Sequence, residues 1–150
     1  MIYCVLMAKM RLDRNTAIAS ALLPGVMVFV LEYVLTALSI KEGPFSQFDI
    51  VMHILGGGAV AWAAWVYMGY ARAVKKLPLL PFWFSVAFAV GAAAVVGILW
   101  EHYQFLHDTF LHTDEQQLEF GISDTMKDLA NDLIGSFLLS VLIGRKMLKK

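Results

Sequence analysis

The chain has 150 residues, 59% hydrophobic and 16% charged, with a mean hydropathy of +0.67, whereas soluble domains are roughly half apolar and about a quarter charged. This excludes an ordinary soluble domain and makes the lipid bilayer the first partner. Twelve basic residues balance twelve acidic ones, so no bulk basicity argues for nucleic acid.

The N-terminal run Met1 to Ala8 is too short to cross a bilayer, and Lys9, Arg11 and Arg14 follow it, which describes an interfacial or disordered cytoplasmic end. Its Cys4, the only cysteine, has no internal partner and no metal-type spacing. A first span is expected at about 17–40. Ala37, Leu38 and Ser39 resemble a small-residue cleavage site, but the apolar stretch is longer than the roughly 7–15 residues of a cleaved leader and contains Glu32.

Lys41, Glu42, Gly43 and Pro44 make a polar turn over 41–48. The second span, about 48–70, opens with Asp49 and His53 and continues through Gly56, Gly57 and Gly58, small residues that let helices approach closely. Arg72, Lys75 and Lys76 mark 71–79 as a cytoplasmic loop. The third span, about 80–100, is rich in Ala and Gly and ends on Trp100, Glu101 and His102. The polar segment that follows, with His107, Asp108, His112, Asp114, Glu115 and Glu119, fits an interfacial helix, a lid or an ordered loop equally well. The fourth span, about 124–143, ends in Arg145, Lys146, Lys149 and Lys150. The expected fold is therefore all-α: a polytopic membrane helical bundle of about four transmembrane helices, forming one membrane domain over 1–150.

Placing every Lys and Arg except Lys41 and Lys127 on one side puts both termini in the cytoplasm, in a cytoplasmic (inner) membrane. The same topology gathers ionisable residues at the outer end. Asp124, Asp128 and Asp132 are spaced four apart, each rotated by about 40° from the last on a helix, and so share one stripe. Asp49 and His53 are an i, i+4 pair able to bind one ion, or to let the carboxylate orient the imidazole. Glu101 ends the third span, and Glu32 reaches a depth similar to Asp132. Carboxylates inside a membrane segment usually mark a pathway or a site. The candidate metal ligands are thus Asp49, His53, Glu101, Asp128 and Asp132, and the candidate catalytic residues are His53, Glu101 and Asp128.

Simpler roles compete with these. Asp124 and Asp49 suit helix N-caps, and Asp128 and Asp132 suit interhelical hydrogen bonds to His53, Glu32, Asn131 or Lys127. Glu101 suits an interfacial position, while His102, His107 and His112 suit a solvated loop. Trp62, Trp65, Trp83 and Trp100 read as packing and interface anchors.

Phe48-Asp49-Ile50-Val51-Met52-His53 with the glycines after it, Trp100-Glu101, and Asp124-Thr125-Met126-Lys127-Asp128-Leu129 with Gly135 resemble the VanZ-like group of small membrane proteins and the related YjdF-type (DUF2238) family, over roughly residues 45–145. The resemblance implies an Asp and His opening one span, a Glu ending another and an Asp-rich start to the last, on Asp49, His53, Glu101, Asp124, Asp128 and Gly135. It implies little chemistry beyond a link to glycopeptide resistance in the namesake, and this chain has fewer spans than the longer members.

Two classes of function remain. One is a metal-dependent membrane enzyme acting from outside on a lipid-linked or envelope substrate. Oxygen-rich ligands favour Mg²⁺ or Mn²⁺, His53 is alternatively a general base, and hydrolysis or transfer at a phosphate is the concrete chemistry. The other is a non-enzymatic transporter, helper or ion-binding module whose acids bind a cation or share protons. With four spans, transport would call for a homodimer through the Gly56–Gly58 or Gly91–Gly97 faces.

Overall fold

The computed structural model describes residues 13–38, 48–111 and 121–147. The N-terminal end with Cys4, the polar turn up to residue 47, and His112, Asp114, Glu115 and Glu119 lie outside the described residues. Four helices make up the fold: α1 (Arg14–Ala37), α2 (Phe48–Ala73), α3 (Phe82–Leu111) and α4 (Gly121–Met147). No strand occurs among the described residues. The protein is the all-helical membrane bundle expected.

At about 1.5 Å per residue, 24 to 30 residues give helices of roughly 36–45 Å, longer than the ~30 Å hydrocarbon core. Helices α1, α2 and α3 are also apolar enough to span, with hydropathies of 2.1, 1.5 and 2.2. Helix α4 is long enough but carries Asp124, Lys127, Asp128 and Asp132 in its first half. Its two faces differ sharply. Ile134, Phe137, Leu138 and Leu142 point outward, while Asp128, Asp132, Ser136 and Ser140 are buried. The helix is apolar toward lipid and polar toward its neighbours, the reverse of a helix on a soluble protein.

Helix α3 runs eleven residues beyond Trp100. Part of the polar segment left open by sequence is therefore a continuation of the third helix. Backbone hydrogen bonding carries a helix past the point where its side chains turn polar.

Helix α2 is central, packing against α1, α3 and above all α4, and α3 also packs on α4. The α2–α4 crossing is close because it is built on glycine. A methyl group at Gly57 would collide with the main chain of Asp132, and one at Gly135 with the main chain of Ile54. Fully buried Ser136 and Ser140 continue the same small-residue face of α4, as suits helices packed in lipid. Away from the acidic end, Ala61, Ala64, Trp65, Met68, Val86 and Ala89 form the apolar core. Gly57 and Gly97, read as faces for a second copy, both face α4 within the chain.

Asp13 caps α1, accepting the Thr16 N–H at 2.8 Å. Pro24 lies inside α1 and has no N–H to give to the carbonyl of Ser20. The indole N–H of Trp62, on α2, donates to that carbonyl at 2.8 Å. A break in one helix thereby becomes its attachment to the next.

Candidate functional site

The start of α2, the last third of α3 and the first half of α4 meet at one end of the bundle, around His53. Its Nδ1 lies 3.3 Å from Asp132 Oδ1, in a buried hydrogen bond. Its Nε2 faces three other carboxylates: Asp49 Oδ1 at 3.7 Å, Asp128 Oδ2 at 3.9 Å and Glu101 Oε1 at 4.0 Å. These three separations are too wide for direct hydrogen bonds and are of a size that an interposed cation or water spans. An ionised carboxylate only accepts, so the proton of the first pair sits on Nδ1. A neutral ring then turns its Nε2 lone pair toward Asp49, Asp128 and Glu101, the state in which imidazole binds metal.

His53, Glu101, Asp128 and Asp132 are buried and Asp49 is half-buried. Asp49, His53 and Asp128 each offer one donor atom, and the three atoms lie within 4.8 Å of one another. Asp128 is only 4% exposed, yet its Oδ1 has no hydrogen-bond partner among the described residues. At the rim, the ammonium of Lys127 bonds to Asp124 and stands 3.7 Å from both Asp49 Oδ2 and Asp128 Oδ1.

Asp132 reaches His53 through a slot made by absent side chains. Its carboxylate lies against Gly56, and a methyl at Gly97 would overlap it. Beyond the slot, a cavity of about 220 Å³ lies between α1, α2 and α3. Its polar end is formed by Glu32, Asp49, His53, Gln104 and Asp132, and its deeper walls include Gly25, Val28, Val60, Ala93 and Val96.

The four carboxylates read from sequence as ligands thus surround the imidazole of the fifth, His53, and Glu32 lines the adjoining cavity. Asp124 stands in the first turn of a helix that begins at Gly121 and pairs with Lys127 rather than capping. The expected loop histidines are elsewhere: His102 is exposed on α3, and the His107 ring sits 5.4 Å from that of Tyr103. That contact extends through Trp100, 5.5 Å from Tyr103, to Phe29 of α1 at 6.4 Å.

Lys127, read from sequence as a partner for the aspartates, stands at the rim; two contributors escaped that reading as members of the site, Gln104 in the cavity wall and Gly97 in the slot. Gly97, Glu101 and Gln104 are spaced four and three apart on α3, a polar and small stripe in an apolar helix, and that was the available signal.

These features define an integral membrane helical bundle with a buried histidine inside a cage of carboxylates. The chain matches the family of predicted membrane proteins described as DUF2238 over residues 2–150, and it belongs to that family. No curated protein and no solved structure matches the chain.

Proposed function

We propose that Asp49, His53 and Asp128 hold a divalent cation, Mg²⁺ or Mn²⁺, in a membrane enzyme that acts on a lipid-linked or envelope substrate. The observation that carries this reading is the convergence of three donor atoms within 4.8 Å beside a buried Asp128 oxygen with no hydrogen-bond partner among the described residues. Charge points the same way. Among the described residues, Asp49, Asp124, Asp128 and Asp132 gather around Lys127 and His53, and uncompensated buried charge costs several kcal/mol per ion. A bound divalent ion offsets that excess.

In this reading Glu101 is the next available ligand or a general base. Asp132, on the far ring nitrogen, fixes the orientation of the imidazole. A cation held by Asp49, His53 and Asp128 would supply Lewis acidity at a phosphate ester. The oxygen of a water or hydroxyl would attack phosphorus, the bond to the leaving oxygen would break, and a carboxylate of the cage, such as Glu101, would take the nucleophile's proton. The Lys and Arg distribution places the site on the outer side with both termini cytoplasmic. If a homodimer forms, Gly91, whose Cβ position meets open space, offers it a close-packing face.

A second reading, a non-enzymatic ion- or proton-binding module, draws support from Lys127, whose ammonium already serves Asp49, Asp124 and Asp128. Cation binding and proton binding are separated by elemental analysis of the purified protein after dialysis against trace divalent metals. Near-stoichiometric metal, absent from Asp128→Asn and His53→Ala variants that remain folded, supports the cation site. Absence of metal from the unaltered protein removes it and leaves the proton-binding account.

A further inference from the structure

We infer that the cleft between α1 and α3 admits a single-chain lipid phosphate sideways from the bilayer, with its chain lying along α2 and its phosphate at the Asp49–His53 end. This names the substrate class of the proposed enzyme and rests on that reading for the headgroup.

Helix α1 is fastened to α2 through Trp62 and the Ser20 carbonyl, and it reaches α3 at the edge contact of Phe29 with Trp100. Its apolar side chains are exposed along its length, so lipid bathes this helix and the seam beside it. A molecule entering by the seam comes from hydrocarbon.

Along α2 the cavity extends from Asp49 to Val60, about 16 Å at the helical rise. Its deep part, walled by Gly25, Val28, Val60, Ala93 and Val96, favours a chain and offers nothing to a headgroup. Its volume of about 220 Å³ is below the roughly 300–1,000 Å³ of pockets that enclose a drug-sized ligand. One narrow chain fits such a space and a two-chain lipid does not.

The polar end decides the headgroup. Asp49 and His53 belong both to the cavity lining and to the three-donor set, so a cation held there stands at the head of the cleft. Among the described residues neither Lys nor Arg lines the cavity. An oxyanion is therefore received through the cation, and a phosphate monoester on one alkyl or isoprenyl chain matches both ends.

The test uses the full chain in phosphatidylcholine nanodiscs and a 2-bromoalkyl phosphate, whose bromine, beside the headgroup at the Trp100 end of the cleft, quenches tryptophan fluorescence on contact. Saturable quenching is expected in the presence of Mg²⁺, lost without Mg²⁺ and lost in Trp100→Phe. Gly25→Phe fills the cleft from a position whose Cβ meets open space, and Val28→Trp fills it one turn on. Both weaken the probe's binding by about tenfold or more. Unchanged affinity in both variants overturns the cleft assignment. Quenching that ignores Mg²⁺, or is matched by a 2-bromoalkyl trimethylammonium probe, overturns the phosphate assignment. Metal content measured on the same samples keeps the two readings apart: bound metal without quenching defeats the cleft and leaves the metal centre standing, while absence of both defeats both.

Discussion

Asp132 meets His53 from a helix on the other side of α2 because Gly57 and Gly97 have no side chains to stop it. Two glycines on two helices therefore set the geometry of one hydrogen bond, and they do so differently. Gly57 clears the main chain of Asp132, whereas Gly97 clears its carboxylate. Gly57→Ala should force α2 and α4 apart and cost about 1–3 kcal/mol, as overpacking does, read as a lower thermal midpoint in detergent. Gly97→Ala meets the end of a side chain that can swing away, so it should unfold close to the wild type while losing cation binding. Equal loss of stability in both would show that the slot serves packing alone.

Asp128→Asn should leave the fold intact, because the amide keeps the shape and removes a buried negative charge from a crowded group. The melting temperature should hold or rise while metal content falls to background. His53→Ala should behave otherwise. It leaves four carboxylates facing an empty position, and breaking a buried charge pair costs about 3–5 kcal/mol. Thermal unfolding of the two variants side by side checks the contrast, and parallel loss of stability would favour a purely structural network.

The attachment of α1 should be measurable as a coupling. Trp62→Phe deprives the Ser20 carbonyl of its donor and should cost about 1 kcal/mol, with faster hydrogen exchange confined to the first half of α1. Pro24→Ala restores an N–H in the helix, so the tryptophan substitution should matter less in that background. A double-mutant cycle with no interaction energy would show that the indole and the proline act independently.

A reporter fused after Lys150 should read as cytoplasmic. An external reading would place the cluster at the inner face and turn the proposed substrate into one met from inside the cell.

Much of this fold was legible because hydropathy and basic residues carry topology. The apolar stretches marked four helices, and Arg72, Lys75 and Lys76 marked the connection between α2 and α3. The i, i+4 pair of Asp49 and His53 and the aspartate stripe of α4 needed only helical geometry. The end of α3 was not legible, since polar side chains at Tyr103 to Asp108 signal departure from lipid without ending a helix. Nor was the service of Trp62 to Ser20, or the clearance of Asp132 by Gly97, because each joins residues on different helices. Long-range contacts of that kind follow from how helices rotate about their own axes, which hydropathy does not encode.

The two faces of α4 bear on how the protein is made. Helices α1, α2 and α3 can partition into lipid on their own hydropathy, but α4 brings buried Asp128 and Asp132, and charges at the bilayer centre each oppose insertion by roughly 2.5–3.5 kcal/mol. Those residues find His53 and the glycine slot only when α2 and α3 are already in place. Ordered biogenesis, with the last helix depending on the earlier ones as a receptor, is the expected consequence, and truncation after α3 should leave a chain that still inserts. A lesion at His53 would then be felt twice, first as slow insertion and quality-control loss of the nascent protein, and afterwards as an altered site in the molecules that survive.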